Sequence, residues 1–431
     1  MPRSRSRVRA GARAPPADYD ELFARGRRGG CPSLHCAPME GLGDARFRIA
    51  LSARGAGAFD EGCKEFIRVP GTRAERRRAT TSDDGDERRR LRTTATDERA
   101  GAVSTGGNPE RIVRGLCSSF NSAELFGIPL AAQIMGSETT LLREAARVLA
   151  RDLNAPRVDL NCGCPANIVT GKGAGSSLLK DPELVYACLK AVVEGAAGTP
   201  VTMKLRSGFD DASLLKDNLL AAKEAGVKFV SLHARTRQQG YSGRANYEHI
   251  AFAKEVLDIP VLGNGDVTNA ARCAQLLKLT NCDGVMIGRG AVQDPLIFRR
   301  IKASVRRDAN GVVSLNEDAF EREFEVALVI DFLREFAEEV FKTEHKRANS
   351  RRGSGAQELE TFKIGKIKSV VKYIFAANES LEPHMESIMQ MDPTKCSAEH
   401  VMSSVERLVE REWQKPRDVL VDTFSKRNQY A

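Results

Sequence analysis

The feature that most constrains this chain is a repeated alternation of short apolar runs with helical patterns. The runs are "LHCAPMEG", "CKEFIRV", "IPLAAQIMG", "RVDLNCGCP", "PVTMKLRSG", "KFVSLHART", "IPVLGNGDV" and "DGVMIGRG". Between them lie segments such as "SETTLLREAARVLARDL", "PELVYACLKAVVEGA", "LLKDNLLAAKEAG", "YEHIAFAKEVL" and "ARCAQLLKL", whose apolar residues recur at three- and four-residue spacing and so leave one face to bury. Strands joined by crossover helices pair in parallel. Eight of them close naturally into a (β/α)8 TIM barrel. An open doubly wound sheet is the alternative, but no GxGxxG follows the first run.

A barrel over residues 34–310 leaves the rest of the 431 residues to account for. Residues 1–33 begin "MPRSRSRVRAGARAPPA", Arg-rich and free of acids through Ala17, which reads as a disordered basic tail or as an organelle-import segment. Residues 71–110 carry a mixed-charge run with almost no large apolar side chain, expected to be a disordered insertion. From 316 to 431 the pattern is helical alone, interrupted by a linker-like stretch at 342–358, and is expected to form a separate domain. Its middle helix groups Lys363, Lys366 and Lys368, with Lys372 further along. These are either a solvated face or a contact for a polyanion, and the net charge of +9 points weakly to the latter.

The ten cysteines show no CxxC and there is no HExxH, so neither a disulfide scaffold nor a metal site is expected. No stretch approaches the roughly 18 uninterrupted apolar residues of a membrane span. A monomeric cytoplasmic protein with free thiols is the expectation.

In a TIM barrel the chemistry gathers at the carboxyl ends of the strands. Those ends carry Pro38 and Met39, Gln133, Asn161 and Cys164, Lys204 and Arg206, His233 and Arg235, Asn264-Gly265-Asp266, and Gly288-Arg289. Each alone also reads as scaffold: a hydrogen-bonded His, a solvated Lys, a glycine that only turns. Their occurrence at corresponding ends of successive strands is what joins them. Backbone N–H groups of the loops after the seventh and eighth strands are a common barrel phosphate site, with Arg289 beside them. A Lys and a Gln at one cavity suit a group that becomes anionic, as a reduced flavin does. Cys164 has no base next to it in sequence, and a thiol of ordinary pKa, about 8.5, is mostly protonated at neutral pH, which suits a proton donor.

The segments "APMEG", "CKEFIRV", "DLNCGCPANIVTGKGAGSSLLKDPELVY", "MKLRSGF", "LHARTRQQGYSG", "LGNGDV" and "CDGVMIGRGA" together closely resemble the tRNA-dihydrouridine synthases. The DLNCGCP form followed by LLKDPEL is most similar to the bacterial branch that reduces uridine 16 of the D-loop. The resemblance covers about 34–70 and 128–303, with a weaker echo at "KIGKIKSVVKYI". It implies an FMN-dependent reduction of the uracil C5=C6 bond in tRNA, with NADPH as reductant and Cys164 as proton donor. It assigns Pro38, Met39, Glu40, Gln133, Lys204, His233, Asn264, Gly265, Asp266, Gly288 and Arg289 to FMN. Asn161, Arg206 and Arg68 fall where the family meets the nucleotide or tRNA, Lys366 and Lys368 on the helix expected to meet tRNA, and Cys162 on a packing position. The charged insertion after Arg68 and the long first tail depart from the family pattern.

Two other functions compete. A barrel acting on a free small molecule such as dihydroorotate or a dihydropyrimidine would not need basic carboxyl-terminal helices. A silent RNA-binding protein would not need Cys164, Lys204, His233 and the phosphate loops together.

Overall fold

The computed structural model describes residues 18–28, 30–53, 58–71, 109–165, 173–320, 324–342 and 355–414. Its centre is a closed barrel of parallel strands: β1 (Ser33–Cys36), β2 (Glu61–Cys63), β3 (Ile67–Arg68), β4 (Leu130–Met135), β5 (Val158–Cys162), β6 (Val201–Gly208), β7 (Phe229–Thr236), β8 (Val261–Asn264) and β9 (Gly284–Ile287). The ring closes at β1, where Ser33 lies opposite Gly284 of β9 and His35 opposite Glu61 of β2. The strands are short and buried, as parallel strands covered on both faces must be, with polar side chains such as Gln133, Asp159 and His233 among them. The fold is thus the expected (β/α)8 TIM barrel followed by a carboxyl-terminal helical region.

The second stave differs from its reading as one strand. Both β2 and β3 pair with β4, Gly62 opposite Leu130 and Ile67 opposite Ile134. The break falls at Lys64, Glu65 and Phe66, where Glu65 leaves the ladder to meet the buried Arg48 at 2.6 Å.

A helix precedes the barrel. In α1 (Tyr19–Arg27) Asp18 caps the first turn by accepting from the Glu21 N–H, and the four-residue spacing of Tyr19 and Phe23 puts both on one face. That face closes the amino-terminal end of the barrel, with the two rings 5.3 and 5.4 Å from that of Phe229. Residues 18–33 are therefore not the tail expected of them: the aromatic pair offsets the ordering cost. Residues 1–17 lie outside the described residues.

The helices between the staves are α2 (Ala45–Ser52), α3 (Pro109–Cys117), α4 (Thr139–Arg147), α5 (Pro182–Ala196), α6 (Leu215–Ala225), α7 (Glu248–Val256) and α8 (Ala270–Thr280). In α5 the local logic is plain. Asp181 caps it by accepting from the Leu184 N–H, Pro182 fits the first turn, and Val185, Cys188, Leu189 and Val192 face the sheet. Of the charged insertion, residues 72–108 lie outside the described residues, and α3 already begins at Pro109.

After the last stave come α9 (Arg289–Gln293), α10 (Ile297–Ser304) and an antiparallel pair, β10 (Val305–Arg307) with β11 (Val313–Leu315). The helical region is α11 (Glu325–Phe341), α12 (Gly355–Ala377), α13 (Met385–Met389) and α14 (Ala398–Glu412). Of the expected linker, 343–354 lie outside the described residues, and α12 begins at Gly355, inside the expected range. Rather than standing apart, these helices share one continuous apolar core with the barrel. Phe332 of α11 packs edge-on against Phe47 of α2 at 5.8 Å, and Arg300 bridges Asp294 and Glu325 at 2.8 and 2.6 Å.

Docking also occupies the lysines of α12. Lys366 pairs with Asp44 beside α2 at 3.0 Å, and Lys368 donates to the carbonyls of Met389 and Met391 at 2.9 and 2.6 Å. Lys363 pairs with Glu360 at 3.2 Å. The basic face expected to meet a polyanion is engaged within the chain. Among the described residues no helix is long and apolar enough to cross a membrane.

Candidate active site

The carboxyl ends of the strands open into a cavity of about 800 Å³, within the size range of cofactor sites. Pro38, Met39, Glu40, Gln133, Asn161, Cys164, Lys204, Arg206, His233, Asn264, Gly265, Asp266, Gly288 and Arg289 all line it. Positions far apart in sequence converge because each lies in the middle or carboxyl half of a strand of the same closed sheet, or in the loop that follows one. Arg68 stands at the rim, its guanidinium 2.7 Å from Glu40, with both side chains about half exposed. Lys366 and Lys368 do not line the cavity.

The floor is cationic. Lys204 lies within β6 and Asn264 ends β8, with β7 between them, and the Lys204 ammonium has one hydrogen bond among the described residues, 3.3 Å to the neutral side-chain oxygen of Asn264. Burial, then the nearby Arg206, pulls its pKa down to about 8. His233 is pushed well below the ordinary imidazole value by burial and by Arg206, Lys204, Arg235 and Arg289, so it is a neutral ring at pH 7. An incompletely paired, half-buried ammonium beside a neutral imidazole is a place for an anionic or electron-rich group.

The loops after β8 and β9 form the opposite wall. Asp266 adopts a left-handed conformation, φ 53°, and takes both oxygens to Arg235 at 2.8 Å while accepting from the Ala245 N–H at 2.7 Å. Gly265, at φ 140°, has no room for a side chain: a Cβ would stand 2.7 Å from that of Ala245. A Cβ on Gly290 would come 2.1 Å from the Val267 carbonyl oxygen. The loops at Gly265–Val267 and Gly288–Gly290 therefore bring bare backbone to the cavity, with Arg289 between them 3.6 Å from Asp266.

Cys164 is half-buried, two residues beyond β5. Its backbone is fixed on both sides. Asn161 accepts from the Gly163 and Cys164 N–H groups, each at 2.9 Å, and the Cys164 carbonyl accepts from the Ser176 N–H and hydroxyl at 3.2 and 2.9 Å. Residues 166–172, with Gly171, lie outside the described residues. Cys162, by contrast, is fully buried in the core, as its packing role required.

The geometry redefines Asn161 and Arg206. Asn161 donates to Gln133 at 2.8 Å as it accepts from the Cys164 turn. Arg206 is buried and donates to the carbonyls of Gly163, Thr236 and Gly240 at 2.8, 2.9 and 2.7 Å. Both line the cavity, but their hydrogen bonds hold the Cys164 loop.

Sequence reasoning missed two rings at the mouth. Phe66, in the break of the second stave, packs with Met135, Ala174 and Cys164. Tyr241, in the "QQGYSG" loop after β7, lies under the guanidinium groups of Arg289 and Arg206, 4.7 and 5.4 Å from its centroid, and 6.1 Å from the His233 ring. An aromatic residue flanked by glycine and serine just beyond a strand end was the available signal for Tyr241. Phe66 had none beyond its place in an apolar run.

Residues 108–351, more than half the chain, match the family model described as "Dihydrouridine synthase (Dus)". The tRNA-dihydrouridine(16) synthase of Haemophilus ducreyi is 33% identical over 280 residues, covering 64% of this chain and 75% of that protein. The probable tRNA-dihydrouridine synthase of Rhodobacter capsulatus is 39% identical over 180 residues, 42% of this chain and 55% of that one. Pseudomonas syringae tRNA-dihydrouridine synthase B is 41% identical over 177 residues, 40% of this chain and 51% of that one. The chain thus spans about half the length of the last two relatives. Together with the barrel, its family-model match places the chain in the dihydrouridine synthase family.

Proposed function

We propose that this protein reduces the C5=C6 bond of a D-loop uridine in tRNA, at position 16, with FMN in the barrel cavity, NADPH as reductant and Cys164 as the acid. The observation that carries the proposal is the convergence of Cys164, the Lys204 ammonium and the bare-backbone loops at Gly265 and Gly288 on one cavity. The residues fit the cofactor. The two loops and Arg289 would hold its phosphate, and Pro38 to Glu40, Gln133, Lys204, His233 and Asn264 would surround the rest.

FMN, when bound, would supply hydride chemistry toward uracil C6, with NADPH as the source of electrons. Cys164 gives the proton to C5. The Lys204 ammonium and the Gln133 amide stabilise the electron-rich end of the cavity by charge and hydrogen bonding. A uridine in folded tRNA must leave its stack to reach this depth, at a cost of a few kcal/mol. Phe66 and Tyr241 at the mouth offer faces for the displaced base, and Arg68 and Arg237 offer charge to the backbone.

The test is substrate choice. NADPH oxidation by the flavin-loaded protein is expected to be stimulated by unmodified tRNA and not by free uridine or orotate. Turnover on either small molecule at the tRNA rate would overturn the proposal.

A further inference from the structure

A chain of polar side chains crosses the barrel interior from α1 to the Cys164 loop. The Tyr19 hydroxyl donates to Glu61 at 2.5 Å, and Arg157 donates twice to Glu61, at 2.7 and 3.0 Å. Arg157 then reaches Asp159 at 3.2 Å. The second Asp159 oxygen accepts from Gln133 at 2.7 Å, the Gln133 oxygen accepts from Asn161 at 2.8 Å, and the Asn161 oxygen accepts from the Gly163 and Cys164 N–H groups at 2.9 Å. All the side chains in this chain are buried.

The chain has a direction, set at one end by Asp159 and at the other by the Gly163 and Cys164 N–H groups, which can only donate. A carboxamide can turn over, exchanging donor for acceptor. Asp159 accepts on every side, from Arg157 and the Thr202 hydroxyl (2.5 Å) on one oxygen and from Gln133 on the other. Gln133 must therefore point its NH2 at Asp159 and its oxygen at Asn161. Asn161 must in turn give its NH2 to Gln133 and its oxygen to the Cys164 turn. Reverse any link and two donors face each other in the core, each left unsatisfied at a real cost. Glu61 and Tyr19 hold Arg157 in place, so the aromatic cap below the barrel steadies the same arrangement.

We propose that Asp159 is a positioning residue for Cys164: it fixes the orientation of the Gln133 and Asn161 amides and through them the backbone turn that presents the thiol. The inference deepens the proposed function, because it names what holds the acid in place, and it rests on that reading only for the thiol's role.

Substitution by Asn makes a sharp test. In Asp159→Asn, Arg157 and Thr202 keep the remaining oxygen on their side, so the new NH2 faces Gln133. The chain then holds one donor too many: with both amides as they are, two NH2 groups meet between positions 159 and 133; with Gln133 turned, two meet between 133 and 161; with both turned, the Asn161 NH2 confronts the Gly163 and Cys164 N–H groups. Adding Gln133→Glu repairs this. A carboxylate at position 133 accepts both from the amide introduced at position 159 and from Asn161, and restores the Asn161 orientation with the same net charge.

The readout is the rate at which iodoacetamide alkylates Cys164, followed by peptide mass spectrometry on full-length protein, with thermal melting alongside. Asp159→Asn is expected to change the alkylation rate about tenfold, the scale of one mismatched buried hydrogen bond, and the double variant to return it to within about threefold of the wild type. Where the single variant does not fold, the double variant is expected to melt at a clearly higher temperature. A double variant no nearer the wild type than the single one, in alkylation and in melting, overturns the proposal. So does a folded Asp159→Asn with an unchanged rate. Alkylation requires neither tRNA nor flavin, so a wild-type protein that makes no dihydrouridine would defeat the proposed function without touching this result.

Discussion

The Lys204 ammonium lies 3.3 Å from the side-chain oxygen of Asn264, and Asn264 turns its own NH2 to the Met286 carbonyl at 2.8 Å. A half-buried cation is thus fastened to a neutral amide whose orientation a third strand fixes. Among the described residues no carboxylate pairs with this ammonium at the base of the cavity, which leaves a place for an electron-rich partner.

The consequence for stability has a definite sign. Lys204 has its pKa lowered from 10.5 to about 8 in the folded protein, chiefly by burial. A lowered pKa means that the unfolded chain binds the extra proton between these values, so folding carries a penalty that is full below about pH 8 and is relieved as pH rises towards 10.5. Lys204→Met is expected to stabilise the flavin-free protein at pH 7 by about 3 kcal/mol, with the advantage over the wild type vanishing near pH 10.5. Paired urea titrations across that range check it. The same variant is expected to hold flavin more weakly.

Cys164→Ala is expected to bind flavin and accept electrons from NADPH at the wild-type rate while reducing tRNA about 100- to 10,000-fold more slowly, the usual contribution of a general acid. Stopped-flow flavin reduction followed by dihydrouridine quantification separates the two halves. Unchanged turnover would remove Cys164 from its role.

Asp266→Ala is expected to leave the Arg235 guanidinium buried and without its carboxylate, costing about 3–5 kcal/mol. A lower urea midpoint at unchanged slope would register this. A loss under about 1 kcal/mol would mean that the pair, despite its 2.8 Å contacts, is compensated by the Gly243 carbonyl.

Gly265→Ala forces a side chain into a left-handed backbone and against Ala245. Flavin affinity, read by fluorescence titration, is expected to fall at least about tenfold as the loop gives way. Wild-type affinity would show that this loop does not hold the cofactor.

Much of this was legible in the sequence for one reason: in a closed parallel barrel, strand-end residues converge whatever their separation along the chain. Cys164, Lys204, His233 and Asn264 were found that way. What escaped depends on partners that no local pattern names. Arg157 and Glu61 are 96 positions apart, and nothing in "APRVDLN" indicates that its two charges face inward. Tyr19 and Phe23 sit in an Arg-rich stretch whose composition hides an aromatic pair with a place under Phe229. The lysines of α12 were read as a free basic face because spacing reveals a helix face, not what packs on it. Asp44 and the carbonyls after α13 had already engaged them.

The most direct test of the central claim is position-resolved mass spectrometry of unmodified tRNA after incubation with the flavin-loaded protein and NADPH. The account predicts a gain of two hydrogens on one D-loop uridine, at position 16, dependent on NADPH. No gain anywhere in the tRNA, from protein whose flavin NADPH visibly bleaches, would contradict it.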